Sequence, residues 1–210
     1  MNIQNREIER RFLVNEMPAN VVSTLEIQQT YLDCTLSVWT NRVDETPQLT
    51  LKNISDECKS LIMSIEISDR RIFKSLSSLL KQSVALTIRV RIIDSKAVLT
   101  IKGPAKKGQI GKPEIEFAID SEIGEDLITK FHTGEVVRKT RHIIPYDFDP
   151  ALKWEVDVFH DNNDGLVTVE IEIPTEDFNV SIPTWVGKEI THDYRYANSN
   201  LAQHPFNTWE

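Results

Sequence analysis

Charged residues recur in pairs spaced i, i+2 along segments that otherwise read as strands, and this spacing constrains the fold more than any other feature. The pairs are Glu7/Glu9, Arg89/Arg91, Glu114/Glu116, Lys139/Arg141, Glu155/Asp157 and Glu170/Glu172. Side chains on a strand alternate between faces, so each pair lies on one face. Val90, Ile115, Val156, Ile171 and Ile173 take the other faces. Arg11 continues the first pair, while Arg10 interrupts the alternation next to Ile8. One such strand would be an edge strand with a solvated face. Several, each pair of one sign, need a common explanation, because solvated faces mix acid and base. A closed antiparallel β-barrel with a charged lumen and helices packed outside supplies one, which makes the expected class α+β. In such a lumen, acidic clusters can hold hard cations and basic clusters an anion with many oxygens.

The 210 residues suffice for one large domain or two small ones, and 40% hydrophobic with 27% charged residues suit a soluble globular chain. No run of about 18 apolar residues offers a membrane span. The N-terminus lacks the basic-then-apolar order of a secretory signal. Cys34 and Cys58 are the only cysteines, which suits a reducing, cytoplasmic setting without disulfides. A net charge of −8 argues against a nucleic-acid partner held by a broad basic surface. It leaves room for a small anion, because the basic residues are grouped. The histidines show no ligand spacing, so zinc is not expected.

In chain order, 6–14 reads as a strand. Pro18, Val21, Val22 and Leu25 predict a short helix to about Glu26, and Ile27–Leu32 returns to extended chain. A shift of 50 aligns Leu36-Ser37-Val38 with Leu86-Thr87-Ile88, Leu49-Thr50-Leu51-Lys52 with Leu99-Thr100-Ile101-Lys102, and Ile65-Glu66-Ile67 with Ile115-Glu116-Phe117. This predicts an imperfect internal repeat. Its first copy has lost charge, with Trp39, Asn41 and Ser64 where Arg89, Arg91 and Glu114 stand in the second. Residues 33–68 therefore read as extra strands, and 69–82 as an amphipathic helix. A hairpin over 85–102 turns at Asp94-Ser95, a basic loop spans 103–111, and 113–119 is a strand. A helix over 121–132 with Ser121 as N-cap follows, then a strand over 136–144. A second hairpin, 153–159 with 166–173, surrounds Asp161–Gly165. Pro183–Gly187 reads as a short helical turn and Tyr196–Ala202 as a short helix.

Glu7-Ile8-Glu9-Arg10-Arg11-Phe12-Leu13-Val14 resembles the Glu-x-Glu-x-Lys signature of the CYTH superfamily, the triphosphate tunnel metalloenzymes. Ile88-Arg89-Val90-Arg91, Leu99-Thr100-Ile101-Lys102-Gly103, Glu114-Ile115-Glu116-Phe117 and Arg138-Lys139-Thr140-Arg141 resemble later family segments, in order. So do Trp154-Glu155-Val156-Asp157, Val169-Glu170-Ile171-Glu172 and the stretch from Gly187 to Asn198. The resemblance covers about 6–32 and 85–201, and is strongest to the short bacterial members that hydrolyse inorganic tripolyphosphate.

The resemblance implies a single tunnel domain over 1–210, an eight-stranded antiparallel barrel with an insert at about 33–84. It implies a small-molecule triphosphate substrate and Mg²⁺ or Mn²⁺. Glu7, Glu9, Asp157, Glu170 and Glu172 match the metal carboxylates. Arg11, Arg89, Arg91, Lys102, Arg141 and Arg195 match the phosphate binders. Lys139 matches a catalytic lysine that assists a water nucleophile, and like charge from nearby arginines would lower its pKa. Glu114, Glu116 and Glu155 would line the tunnel. Arg11 replaces the signature lysine, and the two are not equivalent at a tight phosphate site. The insert would add strands, cap a mouth or make a homodimer contact; Trp39 is the residue to watch, with core packing its commoner role. The rival readings are an adenylate cyclase of the same fold, making cyclic AMP from ATP, and a non-catalytic polyphosphate or nucleotide binder.

Overall fold

A computed structural model of the chain describes residues 8–32, 36–53, 60–82, 86–103 and 114–210, apart from the side chains of Leu36, Ser37, Trp39 and Gln82. Glu7, Cys34, Cys58 and most of the basic loop fall outside them, as does the side-chain role of Trp39. Among the described residues the first five strands are β1 (Ile8–Val14), β2 (Ser23–Leu32), β3 (Leu36–Val43), β4 (Thr46–Asn53) and β5 (Leu61–Glu66). Helix α1 (Arg70–Gln82), β6 (Thr87–Ile93), β7 (Lys96–Lys102), β8 (Glu114–Ile119) and α2 (Ser121–Phe131) follow. Then come β9 (His132–Pro145), β10 (Lys153–Phe159), β11 (Val167–Ile173), β12 (Val186–Glu189) and α3 (Asn198–Gln203). The chain is mostly antiparallel sheet with few helices, and it divides into two compact units.

One unit carries the strand order β12-β1-β11-β10-β9-β2. Among its described residues no pairing joins β12 to β2, so the six strands do not close on themselves. Its core lies on one face of the sheet, where Phe12, Ile144, Trp154, Val156, Val169 and Ile171 are buried. Trp154 is the centre of that core, with Phe12, Tyr146 and Trp185 edge-on at 6.0, 6.1 and 5.6 Å between centroids. Edge-on packing suits the ring quadrupoles.

Two local expectations fail in this unit. The helix expected from Pro18 is absent: the chain from Asn15 to Val22 is irregular, and β2 starts at Ser23. The backbone N–H of Val22 donates to Ile143 O at 2.9 Å, a sheet partner in place of a helical one. The expected helical turn at Pro183–Gly187 is a tight turn closed by Val186 N to Pro183 O, followed by β12. The open edge of β1 captures that segment, pairing Val14 with Val186 and Phe12 with Glu189. In the other unit, the N-cap of α2 is Asp120, not Ser121. Its carboxylate accepts from Glu122 N at 2.8 Å, as a β-region residue ahead of the first turn does.

That other unit contains the repeat. Strand order β3-β4-β5 followed by α1 is matched by β6-β7-β8 followed by α2. The tight turns match at their first residue, with φ of 47° at Asp44 and 53° at Asp94, a left-handed conformation Asp tolerates, and differ at the second, where Glu45 has φ of 66° and Ser95 no positive φ. Buried residues sit at equivalent places, Leu49 and Leu51 in β4 and Leu99 and Ile101 in β7. Helix α1 packs on β3 and β4, and α2 packs on β7. The copies differ by a slip of two residues in the third strand: Leu49 pairs with Ile65, whereas Leu99 pairs with Phe117. Ser64 therefore stands where Glu116 stands, not Glu114. A two-residue slip keeps each side chain on its face, so the core survives it.

Candidate active site

Antiparallel pairing turns the i, i+2 charges into rows across one face of the first-described unit. Arg11 stands opposite Glu170, and Glu170 opposite Glu155. Glu9 stands opposite Glu172, and Asp157 opposite Arg141. Lys139 stands opposite Phe159. Directly opposed residues point to the same side of a sheet. Glu9, Arg11, Lys139, Arg141, Glu155, Asp157, Glu170 and Glu172 thus share the face away from Trp154 and Val156.

Arg141 joins most of them. Its Nε donates to Asp157 Oδ1 at 2.6 Å and its Nη2 to Asp157 Oδ2 at 2.7 Å, a two-point fork. Its Nη2 also reaches Glu170 at 3.2 Å, and its Nη1 donates to Glu155. Lys139 is 1% exposed, and its Nζ donates to Asp157 Oδ2 at 2.5 Å. Arg11 donates from Nε to Glu170 at 2.6 Å, from Nη2 to Glu9 at 2.9 Å, and from Nη1 to the Tyr196 carbonyl at 3.4 Å. A lysine in place of Arg11 would offer one point of charge to these three acceptors.

The carboxylates differ in what balances them. Burial would push Asp157 up, but the charges of Lys139 and Arg141 overcome it and bring its pKa from 3.8 down to about 2. Glu170 is also lowered, with burial opposed by Arg11 above all. Glu172 moves the other way: burial first, then the charge of Glu155, raise its pKa. Burial opposes the charge on Arg11 and Arg141 too, yet Glu170 for the first and Asp157 for the second raise both.

The other unit holds its own cluster on β6, β7 and β8. Arg89 is buried, and its Nη2 donates to Thr100 Oγ1 at 3.0 Å, Glu114 at 3.1 Å and Glu116 at 3.2 Å. Lys102 Nζ lies 2.6 Å from Glu114, its register partner. Burial, then the charges of Arg89 and Arg91, lower the Lys102 pKa. Arg91 shares the strand face of Arg89 and is half-buried. Arg89 Nε is buried with no hydrogen-bond partner among the described residues. An unmet buried donor costs about 1–3 kcal/mol, and an oxyanion is the acceptor that a guanidinium at a basic cluster suits.

The structure thus groups Glu9, Arg11, Lys139, Arg141, Glu155, Asp157, Glu170 and Glu172 in one unit, and Arg89, Arg91, Lys102, Glu114 and Glu116 in the other. Arg195 is not on the sheet face; its guanidinium is exposed and bonds Asp193. Among the described residues no three acidic, imidazole or thiol groups stand close enough to hold one metal ion, since most of these carboxylates are occupied by arginine and lysine. Lys139 faces not only like charge from the arginines but the carboxylate of Asp157, which favours its charged form. Three further groups take part in the two clusters. Lys153 Nζ is 2.8 Å from Glu155, and its i−2 position carried a signal. Thr100 Oγ1 donates to Glu116 at 3.1 Å, and the Tyr196 carbonyl takes Arg11; neither contact leaves a sequence trace.

Fold and face together define an antiparallel-sheet protein that gathers cations and carboxylates on one surface. No protein-family model matches the chain. An inorganic triphosphatase of Acetivibrio thermocellus is 33% identical over 126 residues, 59% of this chain and 76% of that protein. One of Nitrosomonas europaea is 30% identical over 120 residues, 56% of this chain and 76% of that protein. A crystal structure of an inorganic triphosphatase matches with a TM-score of 0.56 at 24% identity, over 96% of this chain and 97% of that one, and bears on fold alone. The chain belongs to the family of these inorganic triphosphatases, within the CYTH superfamily that its motifs resemble.

Proposed function

We propose that the protein hydrolyses inorganic tripolyphosphate to pyrophosphate and phosphate with Mg²⁺ or Mn²⁺. In this reading, residues 1–210 make one tunnel domain with the insert at 33–84, its strands closed around the charged faces, working in the cytoplasm. The observation that carries it is the shared face of Arg11, Lys139 and Arg141 with five carboxylates. A triphosphate carries about four negative charges near neutral pH, and its hydrolysis asks for charge neutralisation and an in-line water rather than covalent catalysis.

Arg11, Arg89, Arg91, Lys102, Arg141 and Arg195 bind phosphate oxygens. The orphaned Nε of Arg89 is a donor already in place. Water attacks a terminal phosphorus, the bridging P–O bond breaks, and pyrophosphate leaves. Lys139 assists that water, and to take its proton as a base it must first give up its own to solvent. Hard carboxylate oxygens are the donors Mg²⁺ and Mn²⁺ take. Glu7, Glu9, Asp157, Glu170 and Glu172 would hold the ion, with Glu9, Asp157 and Glu170 exchanging their present arginine and lysine partners for it. When bound, the ion neutralises phosphate charge and lowers the pKa of its water.

The test is phosphate release from tripolyphosphate, ATP and thiamine triphosphate, with either metal and with a chelator, scoring cyclic AMP alongside. Metal-dependent release from tripolyphosphate is expected, with kcat lowered about 10²–10⁴-fold by Lys139→Ala. Cyclic AMP from ATP, or binding without turnover, would overturn the reading. Full turnover by Lys139→Ala at saturating metal would remove Lys139 from its role alone.

A further inference from the structure

Arg195 is an exposed arginine held as if it were buried. It sits in the single turn Tyr194–Tyr196, which follows Asp193. Its Nε and Nη2 donate to Asp193 at 3.0 and 2.6 Å. Its guanidinium carbon lies 5.4 Å from the Trp209 ring centroid and 5.8 Å from that of Tyr196. Trp209 is itself fixed. It meets Tyr196 and Phe206 edge-on at 5.0 and 5.1 Å, and its Nε1 donates to His204 O at 3.0 Å. Phe206 N in turn donates to the buried Asn163 side chain at 2.8 Å.

This cluster adjoins Arg11. The Tyr196 carbonyl accepts from Arg11 Nη1, Ile190 N donates to Arg11 O at 2.8 Å, and Arg11 N donates to Thr191 Oγ1 at 3.1 Å. The segment carrying Arg195 therefore runs along Arg11 and is pinned at its far side by Trp209. A free arginine side chain keeps many rotamers, and an exposed cation–π contact is weak against the loss of that freedom. Stability alone is a weak reason to fix an exposed guanidinium this way. Pre-orientation for an anion is a better one, because the ordering cost is then met before binding.

We propose that Trp209 is a positioning residue: its ring holds the Arg195 guanidinium in one orientation, next in sequence to the Tyr196 carbonyl that Arg11 bonds, ready for a phosphate group of the substrate. The inference rests on the triphosphate reading and on Arg195 as a phosphate binder. Tripolyphosphate binding by calorimetry and KM against kcat are measured for the full chain and for Trp209→Ala, Trp209→Phe, Arg195→Gln and the Trp209→Ala/Arg195→Gln pair. Trp209→Ala is expected to weaken binding about two- to fivefold with kcat unchanged, and Trp209→Phe to recover most of the loss. In the Arg195→Gln background, Trp209→Ala should add nothing, since it acts through the guanidinium. An undiminished effect of Trp209→Ala in that background, or unchanged binding by Trp209→Ala, overturns the proposal. Normal binding by Arg195→Gln overturns both the proposal and the role of Arg195, while wild-type turnover keeps the triphosphatase reading. A wild-type chain that does not bind tripolyphosphate removes the reading itself, so the failures stay distinct. Melting curves of Trp209→Phe check that the fold is kept.

Discussion

Asp157 is the residue on which the buried charges depend. It accepts from Lys139 and twice from Arg141 while fully buried. Removing one partner of a buried pair leaves the other charge uncompensated, which costs about 3–5 kcal/mol. Asp157→Asn should lose stability of that order, read by urea unfolding at pH 7. Its folded pKa, about 2, is below its ordinary 3.8, so its contribution is complete above the ordinary value and lost as pH falls through the folded one. The variant should therefore show a flatter acid limb between about pH 4 and 2. Gly134 gives a second test. It has φ of +70°, and a Cβ there would stand 2.3 Å from Ala202 O, a backbone atom that cannot swing away. Gly134→Ala should cost more than about 1 kcal/mol and lower the melting temperature. The spacing in the sequence picked out Lys139, Arg141 and Asp157 as one-face residues. It did not pair Lys139 with Asp157, because that contact joins residues 18 apart and depends on the register of the two strands that carry them.

At the level of elements, β11 sets the charge balance of the sheet. It places Glu170 between Arg11 and Glu155, and Glu172 against Glu9. Like charges directly opposed across strands destabilise by a few tenths to about 1 kcal/mol. The pKa of Glu172 is raised, so its carboxylate costs stability wherever it is charged. That cost is full above the raised value and vanishes as pH falls below the ordinary 4.5. Glu172→Gln should raise the melting temperature by about 1–2 °C at pH 7 and by nothing below pH 4. Added Mg²⁺ should stabilise the wild type more than this variant if the carboxylate is a ligand. Elements long enough to show a period were legible, including α1 and the hairpin β10–β11. The short pieces were not: β12 exists because β1 offers an edge, and β2 begins early because its backbone finds a partner at Ile143.

Across the whole molecule, the two copies of the repeat share core positions and differ in charge. The first copy keeps the core positions Leu49, Leu51, Met63, Ile72 and Leu76. It keeps Lys52 where Lys102 stands but has Asn41 and Ser64 where Arg91 and Glu116 stand in the second. Leu76→Ala should cost about 2–5 kcal/mol through the cavity it leaves, yet tripolyphosphate affinity at low temperature should be unchanged. A parallel drop in affinity would show that the first copy takes part in binding.

The sequence by itself determined which residues share a face, because strand alternation has a fixed period of two and needs no knowledge of neighbours. It also determined the repeat and, through ordered motifs, the family. Tertiary structure decided who faces whom: Glu9 against Glu172, Lys139 on Asp157, the two-residue slip that moves Ser64 to the place of Glu116, and Trp209 over Arg195. Each is a contact between segments distant in the chain, fixed by register and packing rather than by local pattern.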